Sequence, residues 1–156
     1  MKTVANILNK KVSHYNMVET GTNVMNALSL MNASPEGFII VTRDGRYAGI
    51  VTERDYAQKV ILAGKSSYQT KVEEIMNCNL PAVSSTDSIE RCMMLMNAYC
   101  TRYLPVFDDF EFKNVITMND LLEEIYHFAT SFKLSKRGVN LLGNVKVLFA
   151  KSLSSR

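Results

Sequence analysis

The chain carries one segment twice. Shifted by 65 residues, Val18 lies over Val83, Val24 over Ile89, Leu28 over Met93, Met31 over Met96, Val41 over Val106, Thr52 over Thr117 and Asp55 over Asp120, without a gap. Upstream, Val4 and Ile7 match Val72 and Ile75 at an offset of 68, so the first copy holds three extra residues near Lys10 to Asn16. A repeat of this kind limits the fold more than any composition does, because both copies must adopt one supersecondary unit. A unit of about 60 residues cannot cover both faces of its own small sheet, so the two copies are expected to bury those faces against each other.

Each copy reads as β-α-β-β-α. Val24, Ala27, Leu28 and Met31 form a helical stripe, repeated by Ile89, Cys92, Met93 and Met96. Thr22 is placed to cap the first helix, and Asp87 with Glu90 resembles a capping box at the second. Apolar runs at Phe38–Val41 and Tyr47–Thr52 flank Arg43-Asp44-Gly45-Arg46, the pattern of a hairpin. In the second copy Leu104–Phe107 and Val115–Thr117 flank Asp108-Asp109-Phe110-Glu111, which lacks the glycine. A second helix follows each hairpin, through Tyr56, Val60 and Ile61 and through Leu121, Leu122 and Ile125. The fold class is therefore mixed α/β (α+β), two repeats packed sheet to sheet as a pseudo-twofold pair. Residues 1–66 and 67–127 form the two domains, and 128–156 an extension.

Charge is distributed unevenly. The 18 Lys and Arg against 15 Asp and Glu leave +3, yet six of those cations and no acid lie between Phe128 and Arg156. A slightly acidic body thus ends in a basic tail, suited to packing on the module or docking another protein. Gly138 and Gly143 interrupt any long amphipathic helix there, which argues against a membrane anchor, and six cations without an aromatic ladder argue against nucleic acid. No apolar run approaches the length of a membrane span, and the three cysteines, Cys78, Cys92 and Cys100, form no C-x-x-C pair. A soluble cytoplasmic protein with reduced thiols is expected. His14 and His127 have no metal-ligand spacing to a Cys or carboxylate, and there is no G-x-S-x-G, Walker or G-x-G-x-x-G motif. These features point away from an enzyme and from a metal site.

The chemistry-bearing signal is Thr52-Glu53-Arg54-Asp55, repeated as Thr117-Met118-Asn119-Asp120. Each stands where a strand gives way to a helix, putting a hydroxyl and a carboxylate beside free helix N–H groups. Taken singly, Thr-x-x-Asp reads as a helix cap. Repeated in register, it also suits a nucleotide, with phosphate toward the helix terminus and the carboxylate accepting from ribose hydroxyls.

Gly49-Ile50-Val51-Thr52-Glu53-Arg54-Asp55-Tyr56 resembles the signature that ends a CBS domain, and Arg102-Tyr103-Leu104-Pro105-Val106 resembles the R-H-L-P-V segment of the second domain in a CBS pair. With Val4–Leu8 and Val72–Met76 opening the copies, the resemblance covers residues 3–127. It implies a tandem CBS (Bateman) module with two clefts for adenosine-containing ligands (AMP, ADP, ATP, NAD(H) or S-adenosylmethionine), held as regulatory ligands, and a homodimer acting on an unidentified regulated protein. Position by position it implies ligand roles for Thr20, Gly37, Phe38, Thr52 and Asp55 in the first copy. In the second it implies roles for Val83, Ser84, Tyr103, Pro105, Thr117, Asn119 and Asp120. Arg54 and Arg102 suit phosphate. Asn114 stands in place of the glycine at Gly49, and Tyr103 in place of the usual His, so the second cleft departs from the pattern. The alternative is an interaction scaffold with vestigial clefts that works through its basic tail.

Overall fold

The structure, a computed structural model, describes residues 2–11, 15–33 and 35–134, with side chains as far as Thr130. His14 and residues 135–156 of the basic extension lie outside the described residues. The chain divides into two compact units, Val12–Leu80 and Met1–Lys11 with Pro81–Arg156.

In the first unit β1 (Met17–Glu19) runs parallel to β2 (Phe38–Arg43), and β2 pairs antiparallel with β3 (Arg46–Thr52). In the other unit β4 (Tyr103–Asp108) and β5 (Glu111–Thr117) form the hairpin, while the counterpart of β1 shrinks to a single parallel bridge, Val83 to Val106. The repeat is kept to the residue. Val18 faces Val41 as Val83 faces Val106, Phe38 faces Thr52 as Tyr103 faces Thr117, and the register slips after Val41 as it does after Val106. Asp44 and Gly45 take φ of 51° and 72°, and Asp109 and Phe110 take 50° and 65°, the paired positive φ that a two-residue hairpin turn needs.

The expected helices form, with shifted starts. Asn23 caps α2 (Val24–Asn32) by accepting from the Asn26 amide, and Ser88 caps α4 (Ile89–Ala98) by accepting from that of Arg91. Thr22 and Asp87, the caps read from sequence, are engaged one turn earlier. The Thr22 hydroxyl donates to the Glu19 carbonyl, and Asp87 accepts from the Ser84 amide. Beyond β3, α3 (Glu53–Tyr56) widens into a π turn over Ala57–Ile61, and α5 (Met118–Leu134) follows β5.

The opening segments change places. α1 (Val4–Leu8) buries Val4 and Ile7 with Val83, Ile89, Cys92, Met96, Leu104, Ile116 and Leu121 of the second copy. The 3₁₀ turn Val72–Glu74 and Ile75 instead join Val18, Val24, Ala27, Met31, Ile39 and Val51 of the first. The compact units therefore differ from the sequence copies at residues 1–66 and 67–127, each unit taking its lead-in from the other copy. Of the methionines, Met31 and Met96 of the helical stripes are buried in the two cores, whereas Met17 and Met94 are exposed.

The two lead-ins are held differently. Asn77 pairs with Ile50 by two backbone hydrogen bonds of 3.1 and 2.8 Å, in the space left by Gly49. At the matching place Asn114 turns its own side-chain oxygen onto the Val115 amide (2.8 Å), and the Lys11 ammonium donates to the Val115 carbonyl (3.3 Å). Glu124, only 3% exposed, pairs with Lys2 at 2.9 Å and Lys10 at 2.5 Å. Hydrogen bonding by Lys10, then by Lys2, holds its carboxyl below the ordinary value.

Two outcomes follow from this packing. An alanine Cβ at Gly49 would stand 2.9 Å from the Asn77 carbonyl and 3.2 Å from the Met76 side chain. Gly49→Ala should therefore lose about 1–3 kcal/mol in urea unfolding. Because the Glu124 carboxyl is lowered in the folded state, its contribution is present above the ordinary carboxylate range and lost as pH falls through the folded value. Glu124→Gln should melt below the native chain at neutral pH, with the gap narrowing as pH falls below the ordinary carboxylate range. A gap constant from neutral to acid pH would refute the assignment.

Candidate functional site

Sheet register brings one end of each hairpin to a strand-to-helix junction. Thr52 ends β3 and caps α3. Its amide and hydroxyl donate to Asp55 Oδ2 at 3.0 and 2.6 Å, and its hydroxyl accepts from the Asp55 amide at 3.1 Å. Thr117 and Asp120 repeat the arrangement at 2.7, 3.0 and 3.2 Å. The helix-cap reading of Thr-x-x-Asp is thus present in both copies, and it fixes the carboxylate at the junction.

The first helical amides are also engaged, Glu53 N–H with the Gly37 carbonyl (3.3 Å) and Met118 N–H with that of Arg102 (3.0 Å). Gly37 adopts φ of 67°, which suits glycine, and an added Cβ there would lie 3.6 Å from the Glu53 carboxyl. Gly37, Phe38, Thr52 and Asp55 therefore gather at one end of the first sheet, and Arg102, Tyr103, Thr117 and Asp120 at the matching end of the second.

Thr20 does not join them. Its amide donates to the Thr42 carbonyl near the hairpin turn, at the opposite end of the sheet from Thr52. Ser84 follows the Val83 bridge and bonds the Asp87 carboxylate. Phe38, Val83 and Pro105 have buried side chains, the Phe38 ring packing tilted against Tyr15 with centroids 4.8 Å apart. Arg54, Arg102 and Asn119 are exposed, and neither guanidinium makes an ion pair among the described residues.

Two lysines that sequence reasoning passed over complete the junctions. Lys59 lies one turn beyond Asp55 and meets Oδ1 at 2.7 Å, while also donating to the Ile75 carbonyl at 2.6 Å. An i,i+4 Asp–Lys pair is a signal that could have been read. Asp120 pairs instead with Lys11, whose side chain is 6% exposed and lies 109 positions away, a separation with no local signature. Lys59 is 41% exposed. The first carboxylate therefore has a solvent-facing cation as partner, and the second a buried one. Among the described residues no three His, Cys, Asp or Glu side chains gather as a metal site, and no helix is long and apolar enough to cross a membrane.

Comparison with known proteins agrees with this duplicated architecture. The model of the CBS domain matches residues 4–61 and again 72–127. The CBS domain-containing protein CBSX3, mitochondrial, of Arabidopsis thaliana is 33% identical over 113 residues, a match spanning 69% of this chain and 55% of that protein's length. A solved protein with CBS domains from Burkholderia ambifaria superposes with a TM-score of 0.74 at 33% identity, covering 90% of this chain and 99% of the other. The CBS domain pair of protein MJ0100, solved in complex with 5′-methylthioadenosine and S-adenosyl-L-methionine, shares the fold at a TM-score of 0.68 and 19% identity, over 81% of this chain and 98% of its own. Matched twice by one domain model and built from two units in a common register, the chain belongs to the CBS-domain family as a tandem pair.

Proposed function

We propose that this CBS pair is a non-catalytic regulatory module that binds an adenosine-containing nucleotide of the AMP, ADP, ATP or NAD(H) class and passes its occupancy to a partner protein or a dimer equilibrium. S-adenosylmethionine is the alternative ligand, and the complex formed by the CBS pair of MJ0100 supports the adenosine moiety as the common feature.

The observation that carries the reading is the repeated junction, in which Thr52 and Asp55, and again Thr117 and Asp120, hold a carboxylate at the mouth of a helix. Asp55 offers an acceptor for ribose hydroxyls while Lys59 supplies a cation beside it for phosphate. Exposed Arg54 adds a guanidinium next to Asp55 in the first turn of α3. Asp120 is committed more deeply, because buried Lys11 holds it and is itself held by the Val115 carbonyl. The first copy is therefore the principal site. Occupancy shifts an equilibrium only through a difference in affinity between two arrangements.

Calorimetric titration with AMP, ATP, NADH and S-adenosylmethionine tests this. Binding of at least one is expected. Asp55→Asn keeps an acceptor for the Thr52 amide but removes the charge, and should weaken that ligand by about tenfold or more. Asp120→Asn should weaken it less. Absence of heat from all four ligands, or equal affinity in Asp55→Asn and the native chain, would overturn the proposal.

A further inference from the structure

The two hairpins share a backbone and carry opposite charge. Arg43 and Arg46 face each other across the β2–β3 turn, and the residues 65 positions on, Asp108 and Glu111, face each other across the β4–β5 turn. Like charges placed directly opposite destabilise a strand pair, so each hairpin carries an unfavourable contact that a nearby opposite charge relieves. Neither the Arg43 nor the Arg46 guanidinium makes an ion pair among the described residues. The nearby Glu19 carboxylate is already occupied by the Asp44 amide and the Thr42 hydroxyl. On the acidic hairpin Asp108 accepts from the Ser85 amide and Glu111 pairs with Lys113, while Asp109 has no such partner among the described residues.

Shape follows charge. Phe110 takes the turn position that Gly45 fills in the first copy, with φ of 65° and its ring fully exposed (103%). A bulky residue in that backbone region is strained, and a phenyl ring in water gains nothing to offset it. Beside the basic turn lies an open groove of about 770 Å³, lined by Arg43, Asp44 and Arg46 of the turn and by Tyr47, Ala48 and Met76 beyond it. The aromatic knob stands among three carboxylates and the one ammonium of Lys113, and the mixed polar and apolar groove carries two guanidiniums against the one carboxylate of Asp44, so the two surfaces are opposite in net charge. A guanidinium also favours an aromatic face.

We propose that the Phe110 turn of one chain docks in the Arg43–Arg46 groove of a second copy. Knob and groove are different surfaces of one sequence: two such contacts formed reciprocally close a twofold, isologous dimer, and a single heterologous contact extends from chain to chain. Two guanidiniums by themselves would suit any anion. The equivalent hairpin with reversed charge and an exposed ring is what selects a second copy. The inference does not depend on nucleotide binding.

The test is sedimentation and native mass spectrometry of the full chain, with variants chosen so that folding and association move independently. Phe110→Gly should raise the melting temperature by relieving the turn, yet weaken self-association by roughly tenfold or more. A chain carrying Arg43→Glu with Arg46→Glu and one carrying Asp109→Lys with Glu111→Lys should each fail to self-associate. Mixed in equal amounts they should associate again, because acidic groove then meets basic turn and the reverse. Added salt should weaken association of the native chain. A native chain that stays monomeric at high micromolar concentration, variants that associate like the native chain, or a mixture that fails to recover would each overturn the proposal.

Discussion

The fold depends on four aliphatic side chains that leave their own copy. Val4 and Ile7 are buried among residues of the second copy, and Val72 and Ile75 among residues of the first. A three-stranded strip with one helical stripe is too small to close its own core, and the lead-in segment supplies the missing wall. Placing each lead-in on the other copy means that neither half is complete without the chain passing through the other. The tandem arrangement is thus a condition of burial, and a single copy excised at the sequence repeat would lack part of its core.

Hydrophobic burial alone does not say which lead-in goes where, since Val4 and Ile7 have the same spacing as Val72 and Ile75. Charge makes the distinction. Position 59 of the first copy is a lysine, and the equivalent position 124 of the second is a glutamate. The lead-in that reaches Glu124 brings Lys2 and Lys10, with Lys11 on Asp120 beside it. The other lead-in brings Glu73 and Glu74, and Lys59 donates to the Ile75 carbonyl within it. Exchanging the two would set Lys10 against Lys59 and acids against Glu124, a like-charge conflict on both sides. Gly49 and Asn114 reinforce the choice, the first admitting a backbone pairing with Asn77 and the second satisfying its neighbour's amide from its own side chain.

Local periodicity carried much of this in the sequence. The hairpins, the helical stripes and the strand-to-helix junctions at Thr52 and Thr117 were legible because each rests on residues within one or two turns of one another. Strand register was legible as well, since the 65-residue offset holds through the bulges after Val41 and Val106. The helix caps were displaced by one residue because Thr22 and Asp87 had competing partners in the preceding turn. Exchange of the lead-ins could not be read, because a segment's apolar spacing is blind to which of two similar grooves will receive it. Lys11 was invisible for the same reason, its partner lying far along the chain. Thr20 was grouped with Thr52 by resemblance, whereas sheet register sets them at opposite ends.

The two copies agree wherever the backbone is at stake and differ where side chains meet their surroundings. Positive φ is retained at Asp109 and Phe110 although the glycine is gone, so the turn geometry is imposed by the flanking pairing and not by the turn residues. The carboxylate at each helix mouth is likewise retained, while its cation comes from the same helix in one copy and from the lead-in in the other. The consequence is chemical asymmetry on a repeated backbone. Lys59, with 41% of its side chain exposed, can meet an anion arriving from solvent, although Asp55 beside it is only 15% exposed. A buried Lys11 cannot leave Asp120 without stranding two desolvated groups. The first junction thus leaves its cation open to solvent, and the second fixes the lead-in through Lys11.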